Sequence, residues 1–210
     1  MRLLKVLFAS LFVSSAAVAG EVNGLHYGSM SISYNHISNK VTNEGEVLKF
    51  DAFKGTILNV EALVADRALL GLTYGQVESS NFTNNGVAEN PAKKSELAAT
   101  YALLGYRLES GKGVDIIPFI EHRGQKFEMT GEPSDNSKST ALGVQLRAAL
   151  SPSVELHLTI DRDDEKTNGV GARSVYKFDK SWATFLGYTR QSGRDSYRGG
   201  FTTLGVSYLF

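Results

Sequence analysis

Side chains able to do chemistry are sparse in this sequence of 210 residues. His157, Thr159, Asp161 and Asp163 alternate along one short stretch, and an imidazole beside carboxylates is the raw material of general acid–base hydrolysis. In an extended chain, however, four residues span about 13 Å, so His157 and Asp161 cannot meet without help from neighbouring segments. Thr159 is a poor substitute for the serine of a Ser-His-acid triad, and no Gly-x-Ser-x-Gly elbow occurs. His26, His36 and His122 lack metal-ligand spacing. The absence of cysteine removes disulfides, thiolate zinc sites and thiol nucleophiles together. No catalytic residue, metal or cofactor is therefore expected, and the chain is not read as an enzyme.

Charge excludes another class. With 22 Lys+Arg against 22 Asp+Glu, the net charge is zero and no basic footprint for nucleic acid exists. At 42% hydrophobic the chain can build a core, whereas a mean hydropathy of −0.15 is too polar for a bundle of membrane helices.

The first residues read as an address. Met1 to Lys5 is short and basic, Val6 to Val13 is apolar, and Ala17-Val18-Ala19 fits the small-residue cleavage rule ahead of Gly20. The apolar run is shorter than the roughly 20 residues of a spanning helix. Residues 1–19 are thus expected to be a cleaved signal peptide and 20–210 one exported domain, with no further domain after the last strand.

The mature chain must position what charges it has on strands. Ten segments show period-two patterning: 25–37, 47–64, 69–78, 97–108, 114–127, 139–150, 154–163, 169–178, 182–190 and 199–210. In the sixth, Leu142, Val144, Leu146 and Leu150 share one face while Gln145 and Arg147 lie on the other. Tight turns such as Glu109 to Gly113 and Ser151 to Ser153 alternate with longer polar stretches at 38–46, 79–96, 128–138, 164–168 and 191–198. Pro118 costs its strand one ladder hydrogen bond, and a bulge is expected near it. The second segment exceeds the 9–11 residues a tilted spanning strand needs, so its first half should stand above a bilayer.

Alternation alone also fits a soluble sandwich. Alternating turn lengths and aromatics at the strand ends point instead to a closed barrel crossing a membrane, in which an even strand count puts both termini on the short-turn side. Tyr106, Tyr176, Phe178, Trp182, Tyr208 and Phe210 gather at the short-turn side, and Tyr34, Tyr74 and Tyr188 at the other. The chain stops on Phe210, with Leu204, Val206 and Tyr208 alternating back from it. This ending resembles the C-terminal signature of Gram-negative outer-membrane β-barrel proteins, as in small single-domain barrels of the OmpA/OmpX-like type. The resemblance implies that these four residues are an assembly signal read by the barrel assembly machinery, and that the partners include outer-membrane lipid and lipopolysaccharide.

The expected fold is therefore all-β: a closed antiparallel up-and-down transmembrane β-barrel of ten strands, with eight as the alternative. Its outward parity carries no charge within the membrane band, where Arg or Lys costs about 2–4 kcal/mol. Its inward parity carries Glu61, Asp115, Glu121, Glu155, Asp161 and Asp163 against Arg107, Arg123, Arg147, Arg173 and Lys177. Near-equal numbers suggest ion pairs that largely fill the lumen. A structural or surface-interaction protein acting through loops 79–96, 128–138 and 191–198 is the first functional reading. In the last loop Arg190, Arg194 and Arg198 have the chemistry to meet phosphates. A narrow porin-like channel comes second and an outer-membrane enzyme third.

Overall fold

The computed structural model describes residues 21–43, 46–79, 82–84, 87–88, 94–131, 133–193 and 198–210. The leader 1–19 lies outside them, as do parts of the stretches 79–96 and 191–198 and residue 132 of 128–138.

Ten antiparallel strands form a closed barrel. In chain order they are β1 (Ser29–Asn43), β2 (Glu46–Val64), β3 (Ala68–Ser79), β4 (Ser95–Tyr106) and β5 (Val114–Met129). There follow β6 (Asp135–Ser151), β7 (Val154–Asp163), β8 (Asn168–Lys177), β9 (Trp182–Ser192) and β10 (Arg198–Leu209). Each strand pairs with the next, and the ring closes where β10 meets β1, from Leu209 opposite Ser29 to Arg198 opposite Lys40. Through the middle of the barrel each of the ten strands is paired on both sides, which is what a sheet needs in a medium without water.

Alternation produces two surfaces. Ile32, Leu142, Ile160, Val170, Leu186 and Leu204 are large, apolar and exposed on the outer wall. Tyr106, Tyr176, Phe178, Trp182 and Tyr208 are exposed at the short-turn end, where Trp182 and Tyr208 pack edge to face at 5.3 Å. Tyr34 and Tyr188 are exposed toward the other end. Such an outer band suits a bilayer and would be a liability in water.

Three expectations change in detail. The stretch 38–46 is chiefly strand rather than loop: β1 and β2 stay paired out to Asn43 opposite Glu46, and Leu48–Phe50 also pairs with Phe82–Asn84. A polar composition does not forbid backbone pairing, so a polar stretch can be strand as readily as loop. Near Pro118 the registers of β5 with β4 and β6 run without a shift. The missing donor instead splits the neighbouring strand: β4 ends at Tyr106, the ladder resumes at Leu108–Gly111, and Arg107 N–H turns to Arg67 C=O on the other side at 2.7 Å. The only shift in that pairing lies at Val114/Asp115.

The third change is at the start. Leu25 and His26 belong not to the wall but to a small hairpin, Glu21–Val22 against Leu25–His26, turned by Asn23 and Gly24 with φ of 56° and 76°. The chain then passes Tyr27 and Gly28 before β1 begins. Gly28 C=O accepts a hydrogen bond from Phe210 N–H at 3.0 Å, and a β-carbon at Gly28 would strike the Phe210 backbone. Glycine is what lets the two ends of the chain touch.

Candidate functional site

The lumen divides along its axis into a sealed half and an open half. At the short-turn end Leu25 and Tyr27 are fully buried with Leu63, Leu69 and Ile117, so the N-terminal segment enters the barrel and packs on its inner wall. Small residues make room for rings elsewhere in this layer. Gly205 faces Phe185 so closely that any side chain would collide with the ring.

Charges lock the segment in place. Tyr27 hydroxyl donates to Asp115 Oδ2 at 2.5 Å, and Asp115 also receives Arg107 Nε at 2.5 Å. Asn23 side-chain nitrogen reaches Asp115 Oδ1 at 3.1 Å, while its oxygen accepts Gly113 N–H at 2.9 Å. His26 N–H donates to Glu155 Oε1 at 2.9 Å, and Arg147 stands 4.8 Å above the Tyr27 ring. A polar group sealed from water must find a partner, and this segment finds its partners on the wall through the Asn23 and Tyr27 side chains and the His26 backbone.

The charged residues anticipated for the lumen fall into separate groups. Arg147, 1% exposed, pairs with Glu61 at 2.6 Å and with Gln145 at 2.7 Å. Glu155 holds Lys177 at 3.1 Å and His157 Nε2 at 3.1 Å. Arg123 bridges Glu121 at 2.5 Å and Asp161 at 2.8 Å. Arg173 stacks 3.7 Å from the centre of the Phe185 ring, and its Nε has no hydrogen-bond partner among the described residues. Such pairs stabilise little in themselves, yet breaking one leaves an uncompensated charge. The grouping also separates His157 from Asp161 and Asp163: the imidazole lies in the sealed half on Glu155, and the two aspartates face the open half.

The open half is a cavity of about 780 Å³ at the loop end. Glu121, Asp135, Asp161, Asp163 and Glu165 line it along β5 to β7 and the following turn, with Arg123 as the one cation among the described lining residues. Ile37, Phe53, Val77, Leu97, Phe127 and Phe201 form an apolar cluster on β10 and β1 to β5, with Phe53 and Phe127 edge to face at 6.3 Å. Gln125 donates to Tyr101 hydroxyl at 3.0 Å on the wall between. The lumen is thus not filled along its whole length.

Sequence reasoning missed Tyr27, His26 and Asn23 as lumen residues, because residues 25–37 alternate without interruption. The signal that separates them was present. Asn23-Gly24 is the dipeptide that tight hairpins favour, and it places a turn just before the run. The terminal residues Leu204, Val206 and Tyr208 face outward on β10, and Phe210 follows it.

No protein-family model and no curated protein sequence matches the chain. Solved structures do. The translocator domain of the autotransporter NalP from Neisseria meningitidis is 13% identical over 89% of this chain and 90% of that one, with a TM-score of 0.60. An outer-membrane channel from Pseudomonas putida F1 is 12% identical over 89% and 97%, at 0.53. The outer-membrane protease OmpT from Escherichia coli is 10% identical over 94% and 99%, at 0.52. The chain shares its closed-barrel fold with these outer-membrane proteins. Since a translocator, a channel and a protease share that fold, role must be argued from the lumen.

Proposed function

We propose that the protein is exported by a signal peptide cleaved after Ala19 and sits in the outer membrane with its short turns and both ends of the mature chain in the periplasm. There it serves as a surface-interaction protein, neither a channel nor an enzyme. Leu204, Val206, Tyr208 and Phe210 are its assembly signal, and through the stretches 79–96, 128–138 and 191–198 it meets lipopolysaccharide and other ligands.

The observation that carries this reading is the division of the lumen. One end is stopped by Leu25 and Tyr27 under a layer of paired charges, and the other opens into a cavity among the long connections. A barrel stopped at one end passes no ions, and a cavity at the other end is where a ligand is met. The charge arrangement supports the non-enzymatic side as well, since His157 is engaged by Glu155 and Asp161 by Arg123.

Planar-bilayer recording of the purified protein tests it. The expected trace is flat at physiological salt. Steady single-channel steps would replace this reading with the narrow channel.

A further inference from the structure

We propose that the loop-end cavity binds a small organic cation carried on an apolar body, an ammonium or guanidinium attached to an aliphatic or aromatic group. The proposal rests on the surface-binding reading and names the ligand class for that site.

Two walls of different chemistry face each other across the cavity. In a ring of ten strands, β6 and β7 stand opposite β1 and β2. Asp135 on β6 and Asp161 and Asp163 on β7 therefore look across at Ile37 on β1 and Phe53 on β2. Five carboxylates and a single guanidinium line the described part, and Arg123 is already shared by Glu121 and Asp161. A cleft of one sign between low-dielectric walls concentrates counter-ions and repels anions. An inorganic cation would leave the apolar side of the cavity wet. Ile37, Phe53 and Val77 are already buried there, and the half-buried Leu97, Phe127 and Phe201 packed on them keep apolar surface toward the cavity. Only a ligand with an apolar part gains from covering it. A volume of about 780 Å³ suits such a molecule, since small-ligand pockets run roughly 300–1,000 Å³.

Three probes of one shape separate charge from apolar contact: phenylbutylammonium, phenylbutanol and phenylbutyrate, titrated calorimetrically into the full chain in nonionic detergent with a micelle blank. The ammonium should bind about tenfold or more tightly than the alcohol, and the carboxylate should not bind. Its advantage should shrink as salt is raised. The double variant Asp163→Asn, Glu165→Gln leaves the Arg123 pairs intact and keeps an acceptor for Thr167 N–H, which Asp163 holds at 2.7 Å. It should erase most of the preference for ammonium over alcohol. Phe201→Ser should weaken ammonium and alcohol alike and leave their ratio unchanged; Leu97→Ser repeats that arm should Phe201→Ser fail to fold. Equal binding of the three probes, a preference for the carboxylate, or an unchanged preference in the double variant would overturn the proposal. Bilayer current is a separate readout: steady steps sink the sealed-barrel reading, while loss of ammonium preference with a flat trace sinks the ligand alone.

Discussion

Tyr27 and Asp115 lie 88 residues apart in sequence and meet through a hydrogen bond of 2.5 Å, the tie that holds the N-terminal segment against the barrel wall. The same carboxylate carries Arg107, so a phenol, a guanidinium and an acid share one buried point. Burial and the neighbouring acid push the Tyr27 phenol well above its usual range, so it remains a donor at any physiological pH.

Tyr27→Phe removes that donor and keeps the ring over Arg147. Stability should fall by about 1.5–3 kcal/mol, the usual value of a hydrogen bond to a charged group, read from a denaturant titration. Tyr27→Ser takes away the ring as well and opens the seal. It should produce leak current in bilayers where the parent chain gives none.

Arg147→Ala leaves Glu61 without its partner inside the sealed half. A loss of about 3–5 kcal/mol is expected by the same titration. Arg147→Met combined with Glu61→Leu removes both charges and should recover most of the loss, because the penalty arises from the orphaned charge.

Deleting Phe210 should impair assembly. The residue donates its N–H to Gly28, and its ring lies 6.5 Å from that of Tyr208, so its loss frees the seam between the two ends of the chain. The intact protein should migrate differently with and without boiling on a denaturing gel. The truncated protein should lose that difference in whole cells.

His26 supplies a pH dependence. Burial holds its imidazole below the ordinary value of 6.5, against the opposing pull of Glu155, while Lys177 adds to the lowering. A lowered folded-state value means the neutral form is the one that fits. Its contribution should be complete above pH 6.5 and lost progressively as pH falls through the folded-state value. The denaturation midpoint should therefore drop on acidification below 6.5, and His26→Gln should flatten that part of the slope.

What could be read before any fold was known follows from locality. Period two is a property of adjacent residues, so Leu142, Val144 and Leu146 announce a strand and its greasy face without reference to any partner. Turn residues are equally local, and β7, at 154–163, falls where the pattern puts it. The stretch 38–46 was misread because composition reports contact with water and says nothing about backbone pairing.

Sequence by itself determined that this chain is built of two-faced strands with charge kept to one face, because each strand carries its own two surfaces, and it pointed to ten of them in a barrel with eight as the alternative. Tertiary structure decided which charges meet, since partners depend on the register of neighbouring strands and on who stands across the lumen. Arg123 reaches Asp161 over 38 residues, and Tyr27 reaches Asp115 over 88. It alone decided that the lumen is stopped at one end and open at the other. Whether residues 25–27 continue the wall or turn into the barrel depends on the fit of Leu25 and Tyr27 against Leu63, Leu69 and Ile117, a contact that exists only once the ring has closed.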